Sequence, residues 1–327
     1  MTNCGIIGFG KMGRIRAQAI EENALGHVSA VFDPHSKSPT YPNARSESEI
    51  IENPEIDAVF ICTPNYQMVP LCKQALSAGK HVFSEKPPAF NAQEVNEVRA
   101  LEHSSGKTLA YGFNHRHHGS IQKIKEILVS GEMGKLLWMR GRYGKEVAES
   151  YFKTWRADPK KAGGGILLDQ GIHMLDLFLY FADDFDQINA FVSNLYWKTE
   201  GLEDNVFAIF KNSQSGVCAS LHSTMTQWRY LFSLEVFLEG GARVLNGLKT
   251  SSGAYGEEDL AIKRNSPDSS GNFQQEEHII YHTDTSRASE VEQFFNAIHY
   301  EKAIELGNSS DALKLMKILD QIYAKAD

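Results

Sequence analysis

The chain has 327 residues, of which 42% are hydrophobic and 23% are charged, a globular composition with room for about two domains. Its formal net charge is −8, which argues against binding to nucleic acid or to an anionic membrane surface. Its four cysteines show no CxxC spacing and its N-terminus shows no signal-peptide pattern, so we expect reduced thiols and a cytoplasmic location.

Strand and helix patterns alternate over the first third of the chain. Short apolar runs predict strands at residues 5–7, 28–32, 58–62, 81–83 and 108–111. Helical periodicity lies between them, for example at residues 14–22 and 92–104. This alternation predicts a parallel sheet wrapped by helices, an α/β domain over residues 1–118.

The pattern changes after residue 119. A helix (121–129), a strand near 136–143 and an apolar helix (166–182) are followed by strand-like runs at 188–197, 205–210, 217–226 and 232–238. Short turns at 211–216 and 239–242 are typical of antiparallel hairpins. We therefore predict an α+β domain over residues 119–327 with a large, mostly antiparallel open sheet.

Two further segments of the second domain stand out. Residues 264–275 are rich in Ser, Asn, Gly and Pro and predict a mobile surface loop. Amphipathic helices at 289–299 and 310–324 close the chain, and we expect the last one to pack back on the first domain.

A glycine-rich motif, G-x-G-x-x-G, connects the first strand to the first helix. Gly8 would make the tight turn, Gly10 would let the backbone approach a pyrophosphate, and Gly13 would let helix and strand pack closely. The helix N-terminus then presents backbone N–H groups and a positive dipole to the phosphates. The motif predicts cofactor contacts from six consecutive residues: Gly8, Phe9, Gly10, Lys11, Met12 and Gly13.

Asp33 ends the second predicted strand, about 20 residues beyond the last glycine of the motif. Its carboxylate can accept both ribose hydroxyls and would repel a 2′-phosphate, which favours NAD over NADP. The nearby Lys37 acts against that preference. We expect NAD as the cofactor.

Polar corners follow the next three predicted strands. In an open parallel sheet, ligands bind outside the carboxyl ends of the strands, so these corners point to one crevice. Pro87 restricts the preceding Lys86 to extended backbone, which aims its ammonium group. The corners add further predicted cofactor contacts: Thr63, Pro64, Asn65, Glu85, Lys86 and Asn114.

The apolar run 166–182 contains two acids and a histidine and is too short and too polar to span a bilayer. On an α-helix, Asp169, His173, Asp176 and Tyr180 fall within an arc of about 60°. A core helix with a satisfied histidine is the alternative, but three ionisable groups in register favour a catalytic stripe facing a cleft. The glycines at 163–165 would let backbone or substrate come close.

These residue types suit hydride transfer from a secondary alcohol to NAD. Neutral imidazole, here His173, can take the hydroxyl proton near neutral pH. A carboxylate, either Asp169 or Asp176, would orient the imidazole and stabilise its charged form. The Lys86 ammonium would stabilise the alkoxide. We predict Lys86, Asp169 and His173 as catalytic residues, which also contact substrate.

Together the glycine motif, the Cys62-Thr-Pro-Asn65 corner, the Glu85-Lys-Pro87 corner and the Asp169-x-x-x-His173 pair resemble the glucose–fructose oxidoreductase/inositol dehydrogenase (Gfo/Idh/MocA) family. The resemblance implies an α/β Rossmann domain over residues 1–118 that binds a dinucleotide. It also implies an open-sheet domain over residues 119–327 that binds substrate and commonly mediates dimers or tetramers. It also places Lys86, Asp169 and His173 at the family's usual catalytic positions. It therefore implies a homodimer or homotetramer formed through the C-terminal sheet.

The run Asn114-His-Arg-His-His118 replaces an Arg-Arg-Phe-Asp-like run found in many members, although Arg116 is kept as a predicted substrate contact. Its three histidines lie too close in sequence to reach one tetrahedral ion, and no cysteine is near, so we expect no metal. Trp155, Arg156 and Trp228 would stack on a sugar or bind its phosphate or carboxylate. Core or interface packing is the alternative for both tryptophans.

The sequence thus predicts an NAD(P)-dependent oxidoreductase that acts on a secondary hydroxyl of a sugar, polyol or sugar nucleotide. One alternative is a glycosidase that holds NAD and works by transient oxidation and elimination. Another is a regulator that binds NAD or sugar without catalysis, which would have no need of a complete set of Lys86, Asp169 and His173.

Overall fold

The computed structural model describes residues 1–265 and 276–325. The chain forms two compact units: the first comprises Met1–Asn114, Lys160–Gly163 and Ser286–Lys317, and the second comprises His115–Pro159, Gly164–Thr285 and Ile318–Asp327. The functional domains predicted over 1–118 and 119–327 stay a prediction. Apart from its first two residues, the loop predicted over 264–275 lies outside the described residues.

The first unit contains a five-stranded parallel sheet in the order β2-β1-β3-β4-β5. Its strands are β1 (Thr2–Ile7), β2 (Gly26–Phe32), β3 (Ala58–Ile61), β4 (His81–Ser84) and β5 (Leu109–Tyr111). The helices of this part of the chain are α1 (Lys11–Glu21), α2 (Glu47–Ile51), α3 (Asn65–Ser77) and α4 (Ala92–Ser105). The predicted α/β Rossmann class is confirmed.

A helix from the far end of the chain completes the core of this unit. Helix α8 (Ser286–Tyr300) brings Phe294 within 5.4 Å of the Phe60 ring and 5.6 Å of the Phe83 ring, measured between centroids. Phe60 and Phe83 themselves stack at 5.2 Å. Such edge-to-face and stacked pairs add to the stability that burial of the rings supplies.

A buried ion cluster links α1, the end of β4 and α8. The Arg16 Nε donates to Glu85 Oε1 at 2.7 Å, and its Nη1 lies 2.8 Å from Glu290 Oε2. All three side chains are buried. Burial raises the pKa of Glu290 to about 7, with Arg16 opposing and Glu85 adding to the rise. One cation therefore serves two carboxylates, and Glu85 is held in place directly before Lys86.

The second unit is built on an eight-stranded sheet in the order β13-β12-β11-β10-β6-β9-β8-β7. All neighbours pair antiparallel except β6 and β9, which are parallel. The strands are β6 (Leu136–Glu146), β7 (Gln187–Ser193), β8 (Asn205–Lys211), β9 (Cys218–Thr224), β10 (Thr226–Leu238), β11 (Gly241–Asn246), β12 (Glu258–Arg264) and β13 (Glu276–Tyr281). The predicted open, mostly antiparallel sheet and its two hairpins are confirmed.

The remaining helices are α5 (Gly119–Ser130), α6 (Pro159–Ala162), α7 (Ile172–Ala182) and α9 (Ser309–Tyr323). The α-helix predicted over 166–182 is wrong in its first turn, because Leu167–Gly171 forms a π-helix before α7 begins. There the Ile172 N–H reaches the Leu167 carbonyl, five residues back. A π-turn widens the helix and shifts the register of Asp169 relative to the α-helical stripe.

No helix in the described ranges has both the length and the apolar character that crossing a membrane requires. The cytoplasmic location stays a prediction.

The ion cluster generates a prediction about pH and stability. Because the folded-state pKa of Glu290 is raised above its ordinary 4.5, its protonated form favours folding. That contribution is complete below about pH 4.5 and is lost as the pH rises through about 7. The free energy of unfolding of Glu290→Gln, taken relative to that of the wild type, should therefore rise by about 2 kcal/mol from pH 5 to pH 8. Urea unfolding at the two pH values measures it.

Glu292→Gln, an exposed neighbour on the same helix, is the matched control and should follow the wild type at both pH values. Equal pH dependence in wild type and Glu290→Gln would contradict the shifted titration.

Candidate functional site

The glycine turn of the first unit leaves space for a ligand at one position only of its three glycines. Gly8 has φ +92°, and a Cβ there would lie 2.5 Å from the Cys62 carbonyl oxygen. A Cβ on Gly13 would lie 2.1 Å from the Gly8 carbonyl oxygen. Beside Gly10, by contrast, nothing lies within 4 Å of the Cβ position. Gly8 and Gly13 are required by the fold, whereas Gly10 keeps room for an approaching group.

Helix α1 starts directly after Gly10, which has no side chain to cap it. The first-turn N–H groups of α1 therefore remain available for an anion. This is the arrangement that the motif predicted for a pyrophosphate.

Asp33 lies at the end of β2 and faces the glycine turn. Its Oδ2 accepts from the Phe9 N–H and its Oδ1 accepts from the His35 N–H, each at 2.8 Å. Each carboxylate oxygen keeps a second lone pair that can accept a ribose hydroxyl. Arg14, which donates to Ser36 Oγ at 2.9 Å, brings a cation to the same corner that the sequence reading did not include.

Some of the other predicted cofactor residues have side chains that are hydrogen-bonded to other described residues, and one has a hydroxyl that is not. The Thr63 hydroxyl is buried and has no hydrogen-bond partner in the described part of the chain. Asn65 donates to the Ala162 carbonyl at 2.7 Å, and Asn114 donates to Ser286 Oγ at 3.0 Å. Glu85 binds Arg16, and the Lys86–Pro87 peptide bond is cis. The open space at Gly10, the Asp33 carboxylate and the orphaned Thr63 hydroxyl fit a dinucleotide.

In the second unit, Asp169 lies among cations. Its Oδ2 is hydrogen-bonded by Lys145 and accepts from the Tyr151 hydroxyl at 3.3 Å, and its Oδ1 lies 3.8 Å from Arg156 Nε. Burial raises the pKa of Tyr151, and the Asp169 charge raises it further. Asp169 thus lies between the side chains of Lys145 and Arg156.

The sequence reading did not identify Lys145. Strand β6 buries alternate residues, and Lys145 continues the inward series that contains Met139, Gly141 and Tyr143. A lysine at a buried strand position is a signal that could have identified it, since such a charge requires a partner.

His173 is buried in α7 and packs face to face on His115. The two ring centroids are 3.9 Å apart and the ring planes differ by 16°. His115 Nε2 lies 3.1 Å from the Tyr143 hydroxyl. The sequence reading treated His115 only as a candidate metal ligand and did not identify Tyr143.

Asp176, one turn beyond His173, pairs with Arg116. The Nε–Oδ2 and Nη2–Oδ1 distances are 2.9 and 2.7 Å. The Asp176 side chain is 0% exposed, whereas that of Asp169 is 21% exposed. Of the two acids on the predicted stripe, Asp169 is therefore the one with a partly exposed carboxylate. The predicted substrate contact of Arg116 stays a prediction. The buried, two-point salt bridge of Arg116 with Asp176 favours a structural role.

The glycines at 163–165 were predicted to let either backbone or substrate come close. At Gly165 it is the protein's own backbone that comes close. A Cβ on Gly165 would lie 2.0 Å from the Glu203 carbonyl oxygen. The Glu203 carboxylate accepts from the Gly165 N–H at 2.7 Å, the Leu167 N–H at 2.9 Å and the Tyr323 hydroxyl at 2.9 Å. Burial raises the pKa of Glu203, and these donors oppose the rise. Glu203, which the sequence reading missed, thus caps the segment that carries Asp169.

The aromatic residues predicted to contact substrate lie outside the core. The Arg156 guanidinium lies 4.4 Å from the Trp155 ring centroid, and Trp228 is 67% exposed. Core packing is thereby excluded for Trp228 in this chain. Trp155 is half-buried, in a short 3-10 helix (Trp155–Ala157).

His118, the last histidine of the run at 114–118, contacts two acidic side chains. His118 Nδ1 lies 2.8 Å from Glu258 Oε2, and its Nε2 lies 3.9 Å from Asp284 Oδ1. Burial raises the pKa of Glu258, but the hydrogen bond and charge of His118 outweigh it and the pKa is lowered. Over the described residues, no group of three or more His, Cys, Asp or Glu side chains could hold a metal ion.

Comparison with known families gives two matches along the chain. The model described as "Oxidoreductase family, NAD-binding Rossmann fold" matches residues 2–113. The model of the Gfo/Idh/MocA C-terminal domain matches residues 121–243.

Curated relatives include an uncharacterized oxidoreductase, YrbE, of Bacillus subtilis, 30% identical over 62% of this chain and 59% of that protein. Levoglucosan dehydrogenase of Pseudarthrobacter phenanthrenivorans is 27% identical over 58% of this chain and 54% of that protein. The alignments thus span little more than half the length of these relatives.

Among solved structures, a levoglucosan dehydrogenase in complex with NADH and levoglucosan has a TM-score of 0.84 at 20% identity, covering 99% of this chain and 97% of that one. A 3-ketoreductase of Actinomadura kijaniata in complex with NADP has a TM-score of 0.85 at 21% identity, covering 99% and 98%. At these identities the likeness concerns the fold.

The three glycines generate a prediction that separates binding from folding. Gly10→Ala places a methyl group in empty space, so the melting temperature should stay within about 2 °C of the wild type. The same methyl would obstruct a pyrophosphate, so NADH affinity should fall at least about tenfold in a fluorescence titration.

Gly13→Ala is the matched comparison and should lose stability, because its Cβ clashes with backbone. Wild-type NADH affinity in Gly10→Ala would contradict the placement of the phosphates at this turn.

Proposed function

Because the chain belongs to the Gfo/Idh/MocA family of NAD-binding oxidoreductases, we propose that it is an NAD(P)-dependent dehydrogenase acting on a secondary hydroxyl of a sugar, polyol or sugar nucleotide. The observation that carries the proposal is the open space beside Gly10 in the glycine turn, together with the Asp33 carboxylate bonded to the same turn. Bound NAD supplies the hydride acceptor or donor.

We assign the proton transfer to His173. A neutral imidazole can take the proton of a secondary hydroxyl near neutral pH, and the same ring can return it in the reverse reaction. We assign Asp169, which pairs with Lys145, to accept a further hydrogen bond from a sugar and to hold the sugar in one orientation. Lys86 is assigned to stabilise negative charge on the reacting oxygen.

We propose NAD as the preferred cofactor. Asp33 already holds two backbone N–H groups and remains an acceptor for ribose hydroxyls, whereas a 2′-phosphate would meet its negative charge. Arg14, which donates to Ser36, and Lys37, four positions beyond Asp33 in the sequence, lessen this discrimination.

A carbohydrate substrate is supported by the surroundings of Asp169. Tyr151, Arg156 and Trp155 supply a hydroxyl, a guanidinium and an aromatic face, the groups with which proteins bind sugars and their acidic substituents. Related proteins include a levoglucosan dehydrogenase and a myo-inositol 2-dehydrogenase, which is consistent with a cyclic polyol or sugar.

We also propose that the chain forms a homodimer or homotetramer through the sheet of the second unit. Phe191 on the edge strand β7 is 81% exposed and pairs with Phe207 on β8, which is 50% exposed. Ile209 on β8 extends the same apolar face. His222 stacks on Phe207 at 3.9 Å. Aromatic residues exposed together on one face are typical of a surface that another subunit covers.

The first prediction from this proposal concerns activity. Sugars, polyols and sugar nucleotides incubated with NAD should yield NADH, measured by its absorbance. With the best substrate, His173→Ala should reduce kcat about 10²- to 10⁴-fold because the proton acceptor is lost. NADH affinity should be unchanged, and His278→Ala, an exposed histidine paired with Asp259, should behave as the wild type.

Wild-type turnover in His173→Ala would contradict the assigned role. Release of free sugar without net NADH would favour the glycosidase, and NAD binding without any turnover would favour the regulator.

The second prediction concerns assembly. Phe207→Asp puts a charge on the exposed face of the sheet, so the mass measured by light scattering should fall to that of the monomer. Val129→Asp, at a site that is also exposed but lies on α5, should keep the wild-type mass. A monomeric wild type would contradict the proposed interface.

A further inference from the structure

The imidazole of His115 makes contacts that the proposed reaction leaves unexplained. It is 4% exposed and comes from a short 3-10 helix (Asn114–His117), yet one of its faces lies against the ring of His173. The stack has a centroid distance of 3.9 Å and an interplanar angle of 16°. The Tyr143 ring also lies near His173, with a centroid distance of 6.2 Å.

His115 is itself held from other directions. Its Nε2 lies 3.1 Å from the Tyr143 hydroxyl. The Phe232 ring lies 5.9 Å away, and the ring of His118, bonded to Glu258, lies 5.7 Å away in an edge contact. These contacts fix the plane of the His115 ring. The His173 ring, which stacks on it, is thereby held parallel to it.

We propose that His115 is a positioning residue for the proposed dehydrogenase reaction, and that its stacked ring, held by the Tyr143 hydroxyl, sets the plane of the His173 imidazole that takes the substrate proton. This inference rests on the proposed function. It assigns His115 no contact with substrate or cofactor.

The physical reason lies in the torsions of histidine. The χ2 torsion of an imidazole is broad, so α7 alone does not hold the His173 nitrogens in one direction. Donor and acceptor positions lie in the ring plane, so a neighbour that fixes the plane fixes the line of proton transfer. For the same reason, two rings stacked face to face exchange no proton, and the role of His115 is geometric.

Two substitutions separate the ring from the hydrogen bond. His115→Phe keeps a flat ring against His173 and loses the bond to Tyr143. His115→Asn can keep a polar contact with Tyr143 but removes the stacked face, and both variants are close enough in size to preserve the fold, which circular dichroism checks.

Steady-state kinetics with the best sugar should show a split between kcat and KM. In His115→Asn, kcat should fall about 30- to 100-fold, as expected for misplaced reacting groups, whereas KM and NADH affinity stay within about twofold. His115→Phe should restore kcat to within about threefold of the wild type. A loss of packing alone would lower both variants alike.

A second measurement needs no turnover. In the NADH complex, the ring-proton NMR resonance of His173, assigned with His173→Gln, should be displaced by the ring current of His115. The displacement should disappear in His115→Asn and persist in His115→Phe.

The outcomes distinguish failure of the positioning role of His115 from failure of the proposed dehydrogenase function. A chain that oxidises none of the sugars overturns the proposed function and this inference with it. An active chain whose His115→Asn variant keeps wild-type kcat, or whose His173 resonance is unaltered in that variant, overturns this inference alone.

Discussion

The two-point salt bridge between Arg116 and Asp176 fixes the geometry of the stacked pair His115 and His173. It ties the short helix that carries His115 to α7, which carries His173, with both charged groups buried. Removing one partner of such a pair costs about 3–5 kcal/mol, because the other charge is left buried. The stack of His115 on His173 therefore depends on an ion pair that has no part in the proposed chemistry.

The same constraint organises the first unit. Arg16 lies between Glu85 and Glu290, and so connects the helix of the glycine turn to the corner that precedes Lys86. Around the turn, close packing explains Gly8 and Gly13, and only Gly10 is left for a ligand. Charges buried for structural reasons thus hold the segments on which the proposed cofactor and substrate residues lie.

Local sequence patterns predicted strands β1 to β10, the hairpin turns and the class of both sheets, because each rests on periodicity within about ten residues. Strands β11, β12 and β13 were not predicted. The missed features are long-range. Lys145 is buried through strand pairing, Glu203 reaches Gly165 from 38 positions away, and the His115–His173 stack joins separate elements. The π-turn at Leu167–Gly171 was missed because uniform helical periodicity was assumed. Helix α8, far along the chain, completes the first core.

The central claim is that His173 takes the proton of the hydroxyl that is oxidised. A crystal structure of the chain with NADH and the sugar identified by turnover tests it most directly. The account predicts an imidazole nitrogen of His173 about 2.6–3.2 Å from the reacting oxygen, with the ring still stacked on His115. A reacting oxygen out of hydrogen-bonding reach of His173, or bonded to another base, would contradict it.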